Sequence, residues 1–452
     1  MNFFKRNPSI RRIASAIVPS KWRFRQINNH VRTLDAQSKW SAERIDEHQS
    51  CVLLNLLDHC RASVPYYQTE DYSALNSLNE YSTAAPVLKK ADIRARKESF
   101  CSTSVAKNKR EPFSTSGTSG TPFSFYWEKG VTQPREDAFH QYWFQQIGFR
   151  NCCDKSVILR GTFTGEKSTH RFDPYTNRLA LSTYHLSRET IHEYVELVRG
   201  FGQCVLQAYP SAATMFCNLA NQASIDLSDI FSAVITTSEI LLSEQREAIE
   251  GALKAPVLDF YGNAERNALI FFCLTCNKYH IDPFYGFTEV LDDDGKALSS
   301  HGAIGHVVTT GFNNNVMPML RYDTGDLVEL DGKPNECGRS FRSCAKIKGR
   351  EQNFFVTGDK RLVSIAALNM HTDIFDNVSQ FQFQQNKIGH TDLLLVPDRN
   401  FKEYEIDLIQ KSIQVKLGLN FKIDVRRVDK IPLSGRGKHE FIKQNLDVGQ
   451  YR

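Results

Sequence analysis

Ser114-Thr115-Ser116-Gly117-Thr118-Ser119-Gly120-Thr121-Pro122 decides how the rest of the chain is read. Every residue but the closing proline is Ser, Thr or Gly, so the stretch offers short hydroxyls, accessible backbone N–H groups and freedom at positive φ, with almost nothing to bury. That is the composition of a phosphate cradle, and, when such a run stands alone, equally that of a solvated linker. The Gly-Lys-Ser/Thr ending through which a P-loop lysine reaches the β- and γ-phosphates is missing, so that nucleotide-binding class fits poorly.

Immediately downstream, Phe123-Ser124-Phe125-Tyr126-Trp127 alternates as a strand, and His140 to Gly148 reads as an aromatic helix. Short apolar runs follow at Val157-Ile158-Leu159, Val205-Leu206 and Ala233-Val234-Ile235-Thr236-Thr237, separated by helical patterns over Ile191 to Phe201 and Ser243 to Leu253. Strands alternating with helices predict an α/β fold of layered sheets and helices. Upstream, Ile45, Leu53, Leu54, Leu56, Leu57 and Val64 fit one amphipathic helix ending before Pro65. A small α+β unit is expected at the C-terminal end, from Phe381-Gln382-Phe383, Leu393-Leu394-Leu395-Val396 and a helix over Tyr404 to Leu417.

Further along the chain, in order, come Tyr261-Gly262-Asn263-Ala264-Glu265, Arg321-Tyr322-Asp323-Thr324-Gly325-Asp326, Gly349-Arg350 and Gly435-Arg436-Gly437-Lys438. With the Ser/Thr/Gly run, this series resembles the signature of the adenylate-forming superfamily of acyl-CoA synthetases, adenylation domains and luciferases. Within it the chain looks most like the phenylacetate-CoA ligase family and its capsular polysaccharide biosynthesis branch. Val64-Pro65-Tyr66-Tyr67 and Pro86-Val87-Leu88-Lys89-Lys90 resemble the family's N-terminal turn and its lead-in to the phosphate loop, and neither is assigned chemistry.

The resemblance implies ATP/AMP and Mg2+ as ligands and gives each motif a task. Thr115, Ser116, Gly117, Thr118, Ser119, Gly120 and Thr121 would hold the β- and γ-phosphates, Glu265 the Mg2+, and Tyr261 with Gly262 the adenylate. Asp326 would accept both ribose hydroxyls, and Arg350 would donate to the same sugar. Lys438, on a Gly/Ser-flanked loop with Arg436 and Lys443 as rivals, would bridge the substrate carboxylate and the α-phosphate. Thr237-Ser238-Glu239 corresponds to the loop under the adenine, with Ser238 and Glu239 standing where glycines are usual.

Three regions are expected: a basic arm over 1–40, an adenylate-forming domain over 41–349, and a mobile C-terminal domain over 350–452. The family's hinge falls on Gln352, where Asp or Lys is more usual, so transfer of the acyl group to CoA follows less firmly than adenylation.

Cys273, Cys276, His280, Cys337 and Cys344 have the look of a structural zinc knuckle inserted over 273–344. Four thiols and an imidazole exceed the four ligands that structural zinc takes, so one is spare. The family branch carries a knuckle in which a later Cys-x-Cys takes part. Its first position here is Asn335, which leaves Cys337 with Cys344, while Cys273 and Cys276 are not separated by sequence. Buried free thiols are the competing reading.

Composition sets the outer limits. Hydrophobic residues make up 41% and charged residues 24%, as in globular domains, and no apolar run is long enough to span a bilayer. Eleven cysteines scattered over a long chain do not form a disulfide framework, and the chain reads as cytoplasmic. Eight of the 56 basic residues precede the first acid, Asp35, so the net charge of +5 belongs to the arm. With Phe3, Phe4, Ile10, Ile13, Ile17, Val18 and Trp22 interleaved, the arm suits either an anionic membrane surface or local packing. Nucleic acid is a poor fit, since no recognition module accompanies the charge.

The expectation is therefore an ATP-dependent ligase that converts a carboxylic acid to an acyl-adenylate, releases pyrophosphate and passes the acyl group to CoA. One alternative delivers it to an amine or hydroxyl of a saccharide in surface-polysaccharide assembly. Another is a non-catalytic nucleotide-binding member. Aromatic residues such as Tyr142, Trp143 and Phe144 suit either a pocket or a core, so the acid itself is not specified.

Overall fold

Alternating β-branched and aromatic residues do form the strands that their period predicts. In the computed structural model, which describes residues 19–115, 123–151, 153–160, 168–350, 354–365, 375, 377–433 and 439–451, Phe123–Glu128 is a strand. Its inward residues Phe123, Phe125 and Trp127 are buried, and it pairs antiparallel with Arg110–Thr115, the strand that leads into the Ser/Thr/Gly run. Residues 116–122 themselves lie outside the described set, as do 1–18, Gln352, Arg436 and Lys438.

The chain divides into two units, the first comprising residues 1–155, 172–178 and 258–347. Strands lying wholly or mostly in the first unit run side by side in the order Gly286–Leu291, Ile304–Gly311, Tyr322–Asp331, Ser343–Arg350, Lys278–Ile281, Leu269–Cys273 and Val257–Gly262. The sequence predicts a helix ending before Pro65, and Ala42–Ser63 is that helix, capped by the Ser41 hydroxyl and continued by a 3-10 turn over Pro65–Tyr67. Leu53, Leu57, Tyr67, Tyr81 and Phe100 are buried with Met317 and Leu320 in one core. The Tyr67 hydroxyl donates to Pro318 O at 3.0 Å and accepts from Leu320 N–H at 3.1 Å, which ties the N-terminal turn to the approach of the Arg321–Asp326 motif.

The described part of the basic arm is a helix, Pro19–Gln37, with Ile27, Val31 and Leu34 buried, so this half of the arm is packed. The aromatic helix begins earlier than its pattern suggests, at Thr132, and runs to Phe144. Its polar first turn has no apolar period to mark it, and the Thr132 hydroxyl instead donates to Asn313 O at 3.0 Å.

The second unit comprises residues 156–171, 179–257 and 348–452. Cys204–Ala208 lies between Ser156–Arg160 and Phe231–Thr237, parallel to both, with the helix Ile191–Phe201 before it, Pro210–Gln222 after it and Ser243–Leu253 following Phe231–Thr237. The C-terminal residues form a four-stranded sheet in the order Lys422–Arg427, His390–Pro397, Val378–Lys387 and Ile442–Gln444, with the helix Tyr404–Leu417 supplying Ile409, Ile413 and Leu417 to its core. No helix among the described residues is long and apolar enough to cross a membrane.

Candidate active site and metal centre

Two motifs distant in sequence meet in the first unit through hydrogen bonds between their own side chains. The strand Val257–Gly262 carries Tyr261 to its end, and the turn after it places Glu265. Asn263 Oδ1 accepts from Asn267 N–H at 2.9 Å, closing that turn. Gly286 and Gly311 then receive Asn267 so closely that an added Cβ would lie 2.7 Å from its carbonyl oxygen at the first and 2.5 Å from its Oδ1 at the second. Across the sheet, Tyr322 and Asp326 belong to the strand Tyr322–Asp331.

Tyr261 donates its phenolic hydrogen to Asp326 Oδ2 at 2.8 Å, and Tyr322 donates to Glu265 Oε1 at 2.9 Å. Glu265 is only 4% exposed and Asp326 8%, so both carboxylates sit where an unpaired charge is costly. Burial first, and then the nearby charge of Glu265, Tyr261 and Asp326, pushes the Tyr322 phenol well above its ordinary range. One phenol thus feels both motif carboxylates. Lys90 completes the group: its Nζ is 3.4 Å from Glu265 Oε1.

Positive φ occurs within and beside the same motifs. Ser238, Arg266 and Arg321 have φ of 72°, 58° and 44°, and Gly325 has 75°. Ser238 therefore adopts the left-handed conformation for which glycine is the usual choice, although the sequence has replaced it. It follows the strand Phe231–Thr237 in the second unit, where Glu239 Oε2 accepts from Ser211 N–H at 3.1 Å. Arg321 is structural: it forms a two-pronged ion pair with Glu289 at 3.0 and 3.1 Å, with both side chains 4% exposed. Arg350 ends the strand Ser343–Arg350.

The cysteine-rich segments form a second centre. Cys273 ends the strand Leu269–Cys273, a tight turn carries Cys276, and His280 lies on the returning strand Lys278–Ile281. A loop brings in Cys337, so one ligand atom from each of Cys273, Cys276, His280 and Cys337 lies within 4.8 Å of the others. Cys344 stands apart, buried in the apolar core opposite Tyr279, with burial pushing its thiol up to about 12.

Three thiols and an imidazole suit zinc, for which ligands at about 2.0–2.3 Å in a tetrahedron stand roughly 3.5–3.8 Å apart. The 3.4 Å between Cys337 Sγ and His280 Nε2 is close to that spacing. Burial, then Arg339 and Lys278, lowers His280 to about 4 and keeps its imidazole neutral, as a ligand must be. Asn335, the position where a family cysteine is missing, instead braces the loop by donating to Arg339 O and Phe341 O at 2.9 and 2.6 Å. Lys278 adds donations to Lys333 O and Pro334 O at 3.1 and 3.0 Å.

No local pattern marks Lys90 or the Tyr322 hydroxyl, because the contacts that give them a place in the site join segments far apart in the chain.

The chain is similar to several known proteins. The CapK C-terminal domain family matches residues 355–445. Protein CapK of Staphylococcus aureus is 26% identical over 370 residues, 80% of each chain. Phenylacetate-coenzyme A ligase of Escherichia coli is 24% identical over 385 residues, 80% of this chain and 84% of that one. Among solved structures, 2-hydroxyisobutyryl-CoA ligase in the postadenylation state with 2-HIB-AMP superposes with a TM-score of 0.70 at 17% identity, over 91% of this chain and 92% of that one, a likeness of fold. By sequence the chain is thus similar to CapK and to the phenylacetate-coenzyme A ligases, and by architecture it shares the fold of a CoA ligase solved with an acyl-adenylate.

Proposed function

We propose that this protein activates a carboxylic acid with ATP, forming an acyl-adenylate and pyrophosphate, and then passes the acyl group to the thiol of CoA. The observation that carries the reading is the pair of hydrogen bonds that joins the two motifs, Tyr261 to Asp326 and Tyr322 to Glu265: an acid suited to a hard cation and an acid suited to a ribose diol are held in one buried group.

In this reading Glu265 holds Mg2+, which supplies charge neutralisation on the phosphates. Asp326, fixed by Tyr261, accepts from the ribose hydroxyls, with Arg350 donating to the same sugar. Thr115 to Thr121 cradle the phosphates, the Ser238-Glu239 loop lies against the adenine, and Lys438 neutralises charge on the α-phosphate as the carboxylate attacks. Zinc bound by Cys273, Cys276, His280 and Cys337 is structural, since four protein ligands leave no open position.

The match of residues 355–445 to a CapK domain favours a second reading for the last step, in which an amine or hydroxyl of a saccharide accepts the acyl group. Incubation of the chain with ATP, Mg2+ and a panel of acids, with and without CoA, tests both. Acyl-CoA appears under the first reading, whereas AMP release that needs a sugar acceptor and ignores CoA supports the second.

A further inference from the structure

Leu88 and Tyr322 form a parallel bridge: Leu88 N–H donates to Arg321 O at 2.9 Å, and Asp323 N–H donates to Leu88 O at 2.9 Å. Two residues later, Lys90 is thereby fixed beside the strand that carries Asp326. Its ammonium lies 3.4 Å from Glu265 Oε1 and 5.2 Å over the ring of Phe123. Glu265 is 5% exposed at its side chain and Phe123 is 1% exposed, whereas the Lys90 side chain is 31% exposed, so a ligand can reach the cation from solvent without opening the core.

The charge count explains why a lysine belongs there. Without nucleotide, Lys90 and Glu265 form a neutral pair. When a divalent cation takes the Glu265 carboxylate, the ammonium and the metal together leave an excess of two positive charges, which a polyphosphate matches. An ammonium has three donors, so a group that stands in an ion pair with Glu265 can also donate to a polyphosphate.

From this geometry we propose that Lys90 is the fixed cation for the leaving pyrophosphate, distinct from the adenylate half of the nucleotide. The proposal rests on the adenylation reading above. In the step it serves, a carboxylate oxygen bonds to the α-phosphorus and the bond from that phosphorus to the bridging oxygen breaks. The electron pair departs on pyrophosphate and no proton moves. Lys90 neutralises the charge gathering on that leaving group.

The test compares binding of ATP, pyrophosphate and AMP to the full chain with Mg2+ present, by titration calorimetry, for the unaltered protein, Lys90→Gln and Lys90→Arg. Loss of a charged donor predicts that Lys90→Gln weakens ATP and pyrophosphate by about 10- to 100-fold and leaves AMP unchanged, with Lys90→Arg restoring most of the loss. Equal weakening of AMP and ATP would make Lys90 a mere support for Glu265 and overturn the proposal, as would no weakening at all. If the unaltered chain bound neither ATP nor AMP, the adenylation reading itself would fall, and this proposal with it.

Discussion

Tyr322 donates its phenolic hydrogen to Glu265 at 2.9 Å, and both side chains are shut away from water. The bond fixes the carboxylate without using its charge. Glu265→Gln keeps an acceptor for Tyr322 and removes the charge, so adenylation should fall by at least about 100-fold while the thermal midpoint barely moves. A variant that melts much earlier, or that keeps full activity, would show the glutamate to be structural.

Asp326 presents one acceptor to Tyr261 and is expected to meet the ribose with the rest. Asp326→Asn should therefore weaken AMP by roughly 10-fold, and Tyr261→Phe by less, because the phenol only orients the carboxylate. Equilibrium dialysis with labelled AMP measures both, and an unaltered affinity in Asp326→Asn would remove the residue from the nucleotide site.

Removing one member of the buried Arg321–Glu289 pair leaves the other charge without its partner. Arg321→Met should cost about 3–5 kcal/mol in urea-induced unfolding. A cost below about 1 kcal/mol would mean that water or a rearranged neighbour compensates.

The metal centre makes a selective prediction. Elemental analysis of purified protein should find about one zinc per chain. Cys337→Ser should lose the metal, and Cys344→Ser should retain it, because Cys344 lies outside the cluster. Zinc lost from both variants alike, or absent from the unaltered chain, would refute the assignment.

Burial lowers the His439 pKa, although its Nε2 pairs with Phe381 O at 2.7 Å. The unfolded chain then takes up the proton first as pH falls, so the stability contributed by the neutral ring is present above about pH 6.5 and is lost as pH drops toward the lowered folded value. Hydrogen exchange at Phe383, whose N–H donates to Phe441 O at 2.8 Å, reads this locally. His439→Gln should flatten the acid side of the profile, and an identical pH dependence in that variant would exclude the histidine as its source.

Much of the fold is legible wherever one period persists. Ile191–Phe201, Ser243–Leu253 and Tyr404–Leu417 are helices with the bounds their patterns predict, and Val157, Leu206 and Ala233 do lie on neighbouring parallel strands. The start of the Thr132–Phe144 helix is not legible, since polar residues there gain their order from distant carbonyl groups. The site divides in the same way. Glu265 and Asp326 stand in local motifs, whereas Lys90 is recruited by a bridge between Leu88 and Tyr322 that no local pattern encodes. Among the candidate zinc ligands, spacing leaves one thiol too many, and only the pairing of Cys344 with Tyr279 across neighbouring strands shows which sulfur turns inward.

Acid-dependent activation of ATP is read by exchange of labelled pyrophosphate into ATP, run with the intact chain, Mg2+ and a panel of carboxylic acids. Exchange should depend on both the acid and the metal and be lost in Glu265→Gln. No exchange with any acid, from protein that is folded and replete with metal, would contradict the proposed adenylation.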